Sequence, residues 1–463
     1  MKKIQLFAVA LVCGFIFTAC GDKKADIPNK DGLKHEYFKN VQFNVKGYMV
    51  KGFNPLPEDI VSKTDGFLII SDESGKLREL QFVLKGKLED SYTYGFARQV
   101  YRYTDSSVIF SQYDKFGKRL PMSRPNGINT IYERELVLEN GMPETQRGLG
   151  FDGQPLLSFI QKNYECDSLG RIIWESNVDE FGKPIDITQR QGIYYRKYTY
   201  NEDDLMTSNS FYEIKSQKRS LGGIHLVGYS YGPNGNIVKN AFYDKNLNLT
   251  QDPNTGIAYR LMKYNKLGNL TEQAVYDIND RPVRNEKGFS MQRSKYDENS
   301  NNTLNQYFDE EREPIINREI GAYAEKLTYD EKGDLVLSEF MDENGDLMTS
   351  DVLKYAYKAL EYNQKGLISS EAYFDANNSP IEFRGLGAHI KLSKYDSLER
   401  LIETKFLNQD GQSFIHPALA LCCTLGEHHP ISHRPSYHFS QLLPHSITHS
   451  QFDSPKNHQH FLQ

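Results

Sequence analysis

A tyrosine recurs along this chain at nearly constant spacing, and no other feature restricts the fold as much. Tyr103, Tyr200, Tyr231, Tyr264, Tyr296, Tyr329, Tyr362 and Tyr395 share one local context. From Tyr200 onward the steps are 31, 33, 32, 33, 33 and 33 residues. A glycine stands eight residues earlier at Gly95, Gly192, Gly223, Gly256, Gly288, Gly321 and Gly387. Cys166 takes the anchor place 34 residues before Tyr200, and Ser71 takes it 32 residues before Tyr103. A degenerate unit, LENGMPETQRGLGFDGQP, fills the gap between Tyr103 and Cys166, with Gly141 and Pro155 at its turn positions. About eleven units can be traced between Lys63 and Phe414. One such unit buries too little surface to stand alone, so neighbours must stack into a continuous core.

The period also fits helical repeats such as ankyrin or tetratricopeptide arrays. The segments between turn signals argue against helix. They are about eight residues long, rich in Tyr, Phe, Val, Ile and Thr, and most lack a 3.6-residue stripe. Most anchors are followed by Asp or Asn, with Gly three residues after it at Gly268, Gly333 and Gly366, which reads as a hairpin turn. A second run follows, such as Leu270 to Tyr276, and then a second turn, as at Asp277 to Pro282. Proline donates no N–H to a ladder, so it belongs in the connection. Tyr373 and Phe374 are adjacent and must point to opposite faces, so both faces carry apolar groups. The sequence therefore predicts an all-β fold: tandem ~33-residue β-hairpin repeats forming an extended, curled antiparallel sheet array.

The turn cores YNKLGNL at Tyr264, YDEKGDL at Tyr329 and YDSLERL at Tyr395 resemble the YD (Rhs-type) repeat family. That resemblance implies spiralling β-sheet built from repeated hairpins, often at the cell surface. The unit here is longer than the usual family repeat, few copies show Gly-Arg-Leu, and no self-cleaving core or toxin domain is visible. A short, toxin-free relative is expected.

The N-terminus begins MKKIQLFAVALVCGFIFTAC. Lys2 and Lys3 precede an apolar stretch from Ile4 to Phe17 that is short for a membrane span. Phe17-Thr18-Ala19-Cys20-Gly21 resembles the bacterial lipobox, with Phe17 in place of the usual Leu. By that resemblance Cys20 becomes the acylated mature N-terminus, bearing palmitate-type chains that hold the protein on a bilayer. The alternative is an uncleaved anchor helix or an ordinary signal peptide. The expected organisation is residues 1–19 signal peptide, 20–40 lipidated N-terminus and tether, 41–415 repeat domain, and 416–463 a His-rich tail. Nine of the twelve His lie in that tail, with Cys422 and Cys423. Their spacing matches no closed metal site, and a disordered or frameshifted end is the reading taken.

No catalytic constellation stands out. There is no Gly-x-Ser-x-Gly, no phosphate-cradling Gly-x-x-x-x-Gly-Lys and no His-Glu-x-x-His. Asp342, Asn344 and Asp346 have the start of a calcium-loop spacing. Leu347 and Leu353, however, replace the required Gly and Glu, so a plain hairpin turn is expected. A net charge of −6 with scattered Lys and Arg gives no nucleic-acid footprint. The expectation is a cell-envelope lipoprotein on the outer membrane, facing either side. It has no enzymatic activity, cofactor or metal, and its array is a binding or scaffolding surface for an envelope protein or glycan. A ligand-free spacer and a polysaccharide hydrolase are the alternatives; the hydrolase would need two carboxyls about 5–10 Å apart in a cleft.

Overall fold

The computed structural model describes residues 32–414, apart from 45–48, 92, 123–129, 157–160, 180, 187–190 and 384–385. Within these residues the chain forms one antiparallel sheet of 28 strands, with a single helical turn at Glu58–Val61. An N-terminal hairpin, β1 (Lys34–Asn44) and β2 (Met49–Pro55), precedes eleven further hairpins. Repeat 1 pairs Asp65–Ser71 with Leu77–Leu84, and repeat 11 pairs Ile390–Tyr395 with Leu401–Leu407. The sheet thus starts inside the 20–40 stretch assigned to a tether, because His35 to Phe38 pair with repeat 1.

Most of the hairpins share one local chemistry. In repeat 4 the Asp167 N–H donates to Arg171 O at 2.9 Å, and the Gly170 N–H returns to Asp167 O at 3.0 Å. This is a tight turn closed by a residue at positive φ, 77° for Gly170. The Asp167 carboxylate accepts the N–H groups of Leu169 and Arg171, both at 3.0 Å. Asn265 does the same for Leu267 and Asn269, and Asp396 for Leu398 and Arg400. The second turn repeats the device: Asp277 accepts Asn279 and Arg281. Asp342 accepts Asn344 and Asp346 at 2.9 Å, so its oxygen serves the backbone in the hairpin turn expected there. Repeat 3 differs. Asn140 and Gly141, at φ 51° and 79°, form a two-residue turn.

In repeats 6 to 11 the penultimate residue of the second strand points inward, and Phe211 takes the same place in the longer strand Met206–Ile214 of repeat 5. Phe211, Phe242, Val275, Tyr307, Phe340, Tyr373 and Phe406 are all buried, in successive repeats. Removing such a side chain from water stabilises by about 1.5–3 kcal/mol, and each contact is shared with a neighbour. Tyr373 packs with Tyr355 and Phe383 inside, while Phe374 stacks on Tyr357 at 4.7 Å on the opposite face.

The interior is not wholly apolar. Lys162 and Glu175 form a buried ion pair, and Tyr198 OH donates to Glu175 at 3.2 Å. Arg134 donates to Gln146 at 3.1 Å, and Ser294 OH to Asn305 at 2.8 Å. Glu325 is partly buried, with Ser338 OH bonded to it at 3.0 Å; loss of water around it pushes its carboxyl up.

The sheet stays open, yet it bends back on itself. Six hairpins separate β1 from the turn of repeat 7 (Tyr259–Tyr264 with Leu270–Tyr276). A flat sheet at about 4.8 Å per strand would hold them roughly 60 Å apart. Instead Asn40 Nδ2 donates to Gly268 O at 3.2 Å, and Asn54 Nδ2 to Asn236 Oδ1 at 3.0 Å. Gln42 reaches Tyr231 OH, Lys51 reaches Asp203 O, and Lys85 pairs with Asp334. The N-terminal hairpins therefore lie across the first turns of the middle repeats, while the strands form one open antiparallel sheet in place of the curled array expected from the sequence.

Candidate binding face

The recurring tyrosines read from the sequence as structural anchors of the repeat. Each closes the first strand of its hairpin. From Tyr200 to Tyr395 each also sits at an irregularity in the ladder, where one residue of the second strand is skipped. Six of them use the phenol in one way. Tyr200 OH donates to Ile172 O (2.7 Å), Tyr231 to Met206 O (2.6 Å), and Tyr264 to Ile237 O (3.1 Å). Tyr296 bonds Leu270 O (3.0 Å), Tyr362 bonds Leu335 O (2.8 Å), and Tyr395 bonds Ile368 O (3.0 Å). Each acceptor is the first residue of the preceding repeat's second strand. Burial raises the Tyr231 and Tyr296 hydroxyls to about 12, so they remain donors.

Cys166 makes the same tie with its thiol, Sγ to Pro143 O at 3.4 Å, and burial lifts that thiol to about 11. A thiol held so high is not a nucleophile at neutral pH. Tyr103 instead packs its ring under Arg78 at 5.2 Å. Tyr329 closes its strand in the same register, and its hydroxyl is raised by burial. The anchors are thus spread along the array as ties between repeats. They do not converge on a pocket. Cys20 and the His-rich tail lie outside the described residues.

The opposite face of the sheet carries a different pattern. The first residue of one strand faces the last residue of its partner: Tyr195 faces Tyr212, Leu226 faces Tyr243, Tyr259 faces Tyr276, Met291 faces Phe308, and Tyr357 faces Phe374. Trp174 joins the row, 5.0 Å from Tyr212, and Tyr259 stacks on Tyr276 at 4.9 Å. Cations flank it. Lys197 and Lys215 lie over Trp174, Lys239 is 4.4 Å from the Tyr259 ring centre, and Arg293 is 5.1 Å from that of Phe308. Most of these rings are half-buried, which leaves an edge or face for a partner.

A hollow of about 310 Å³ opens in this face between repeats 7 and 8. Leu261, Ala274 and Met291 contribute its apolar surface; Tyr276, Lys263, Glu272, Arg293 and Arg312 supply the ring and the charges. Glu272 pairs with Lys263 at 2.8 Å and Arg293 at 3.0 Å. Burial alone would raise its carboxyl, but these two bonds outweigh burial and hold it below the usual range. Arg312 donates to Tyr276 OH at 3.0 Å. Three cations against one carboxylate leave the hollow positive beside an aromatic ring. That combination suits a sugar ring or a peptide side chain bearing negative charge. Glu272 is the one carboxylate lining it, so this hollow lacks the pair that glycoside hydrolysis uses.

Sequence reasoning noticed the aromatic pair Tyr373-Phe374, with apolar groups on both faces. It did not identify Trp174, Tyr276, Arg293 or Arg312 as neighbours, because that requires the register between repeats. Asp309, Glu310 and Glu311 bring carboxylate oxygens within 4.8 Å of one another. Asp309 already accepts the N–H groups of Glu311 and Glu313, which makes this another hairpin turn.

No protein-family model matches the sequence, and no curated protein matches it. Solved structures do align with it. One is TcdB2-TccC3-TEV, at 11% identity over 81% of this chain and 18% of that one, with a TM-score of 0.30. Another is TcdB2-TccC3, at 9% identity over 83% of this chain and 24% of that one, with a TM-score of 0.26. The Photorhabdus luminescens Tc holotoxin pore aligns at 11% identity over 81% and 18%, with a TM-score of 0.27. The chain spans less than a quarter of the length of these neighbours. Among the described residues no helix is long and apolar enough to cross a membrane.

Proposed function

We propose that this protein is a non-catalytic cell-envelope lipoprotein, held on the outer membrane by acyl chains on Cys20. Its repeat array is a scaffold whose aromatic outer face binds glycan or protein. The observation that carries this reading is the row of half-buried rings flanked by cations, which widens into the hollow at Tyr276 and Arg312. A ring row of this kind offers stacking surface without any reacting group. Its excess of cations over acids at the hollow favours acidic glycans or acidic peptide segments.

The test is a glycan array together with a pull-down from envelope extract, using the lipidated chain and the variants Tyr276→Ala and Arg312→Ala. Binding that both variants weaken supports the reading. No binding in either format would leave a spacer without ligand. Hydrolysis of a polysaccharide by the purified chain would overturn the non-catalytic assignment. Anchoring is tested separately: Cys20→Ala is expected to move the protein from the membrane pellet to the soluble fraction.

A further inference from the structure

The sheet has two edges, and they differ. β2 is covered, since Lys51 and Asn54 bond to the turns of repeats 5 and 6. Among the described residues the second strand of repeat 11, Leu401–Leu407, is covered only at its C-terminal end. In the internal repeats three residues of the second strand pair with the next repeat. Glu272, Gln273 and Ala274, for example, pair with Arg293, Gln292 and Met291. The equivalents in repeat 11 are Glu403, Thr404 and Lys405. Among the described residues no further strand pairs with them; Ser413–Phe414 reaches as far as Leu407 and Phe406. Leu270, which the next repeat covers, is 5% exposed, whereas Leu401 and Ile402 are 56% and 64% exposed.

The open edge is self-complementary. It reads Leu-Ile-Glu-Thr-Lys-Phe-Leu, with apolar, apolar and acid before Thr404, and base, apolar and apolar after it. We propose that two copies of this chain pair antiparallel through this strand, about a two-fold axis at Thr404. Glu403 then faces Lys405 of the second copy, and Ile402 faces Phe406. Thr404 has the right parity for this. The Val275 N–H donates to Ser290 O of the next repeat at 3.0 Å, so Gln273, two residues earlier, turns its backbone groups to the same edge. Thr404 is the Gln273 equivalent. Ile402 of the second copy would take the place Ser290 holds, beside the short returning strand, as between repeats 7 and 8. The Glu403–Lys405 contact repeats in kind the Arg293–Glu272 pair at 3.0 Å. Because the other edge is covered, the pairing closes at two copies and does not run on into a filament.

The test measures the mass of the full-length, detergent-solubilised chain by light scattering over a concentration series. A dimer is expected. Glu403→Lys sets like charges across the axis and should weaken dimerisation at least ten-fold. Adding Lys405→Glu to it should restore association. Thr404→Pro, which deletes the N–H facing the open edge and leaves both charges, should also yield monomer. Circular dichroism on each variant separates loss of pairing from loss of fold. A wild-type monomer at tens of micromolar would overturn the proposal, as would a dimer indifferent to Glu403→Lys and Thr404→Pro. So would dimerisation that appears only after deletion of residues 415–463, since that would assign the edge to the chain's own C-terminal segment.

Discussion

The phenols of six anchor tyrosines tie each hairpin to the second strand of the repeat before it. Tyr264→Phe keeps the ring and removes the bond to Ile237 O. It is expected to cost about 0.5–1.5 kcal/mol in chemical denaturation, with unchanged strand content. The αL position before the anchor gives the opposite kind of change. Where other repeats place glycine, repeat 10 has Lys354 at φ 65°. Lys354→Gly should stabilise by about 1 kcal/mol, the cost of a side chain in that region; an unchanged or lower midpoint would show that the lysine stem compensates. The tyrosine period and its glycine were plain in the sequence. That a thiol could stand in at Cys166 was visible only as a position, because nothing in CDSLG announces the carbonyl of Pro143.

At the level of the hairpin, turn chemistry decided most of what could be read in advance. Asp or Asn followed by Gly marks the turn wherever the side chain must cap two amides and the closing residue must take positive φ. The reading placed Gly141 at the turn of repeat 3, where it sits, and failed where other residues do the job of glycine: Asp204, Ser300 and Glu399 close their turns at positive φ, and β1 with β2 matches no repeat pattern. The outer aromatic row was half legible: its members recur, but their neighbours depend on pairing between hairpins.

The polar residues inside the hairpins give a pH signature. Burial raises the Glu325 carboxyl above its ordinary 4.5. The protonated form is therefore the one the fold prefers. Its contribution is complete below about pH 4.5 and is lost as pH rises through the elevated value. Glu325→Gln should accordingly gain stability over the wild type as pH climbs from 4.5 towards neutrality, and gain little below it. The exposed turn carboxylates act in the reverse sense. Asp72 is lowered to about 2, first by the Ser74 hydroxyl, against the opposing effect of burial, and further by the Lys76 amide and Arg78. Its stabilisation is present above about pH 3.8 and fades between there and pH 2. Thermal melts of wild type and both Glu325→Gln and Asp72→Asn across pH 2–7 check the two signs together.

Across the whole molecule, the N-terminal hairpins behave as a brace over the first turns of the middle repeats. Lys85 and Asp334 are both mostly buried where they pair, and Asn40 bridges Asn236 and Gly268. The double variant Asn40→Ala, Lys85→Ala should speed amide exchange at the turns around Asn236, Gly268 and Gly333 while the strands stay protected. Faster exchange spread evenly along the array would mean that the brace sets global stability instead. The brace also bears on how the chain is assembled in time. Hairpins close between neighbours in sequence, which keeps contact order low and favours fast zippering. Asn40 to Gly268 spans 228 residues, and Lys85 to Asp334 spans 249. The first hairpins to leave the ribosome are therefore among the last to reach their final contacts, and must stand with an unsheltered flank until the ninth repeat exists.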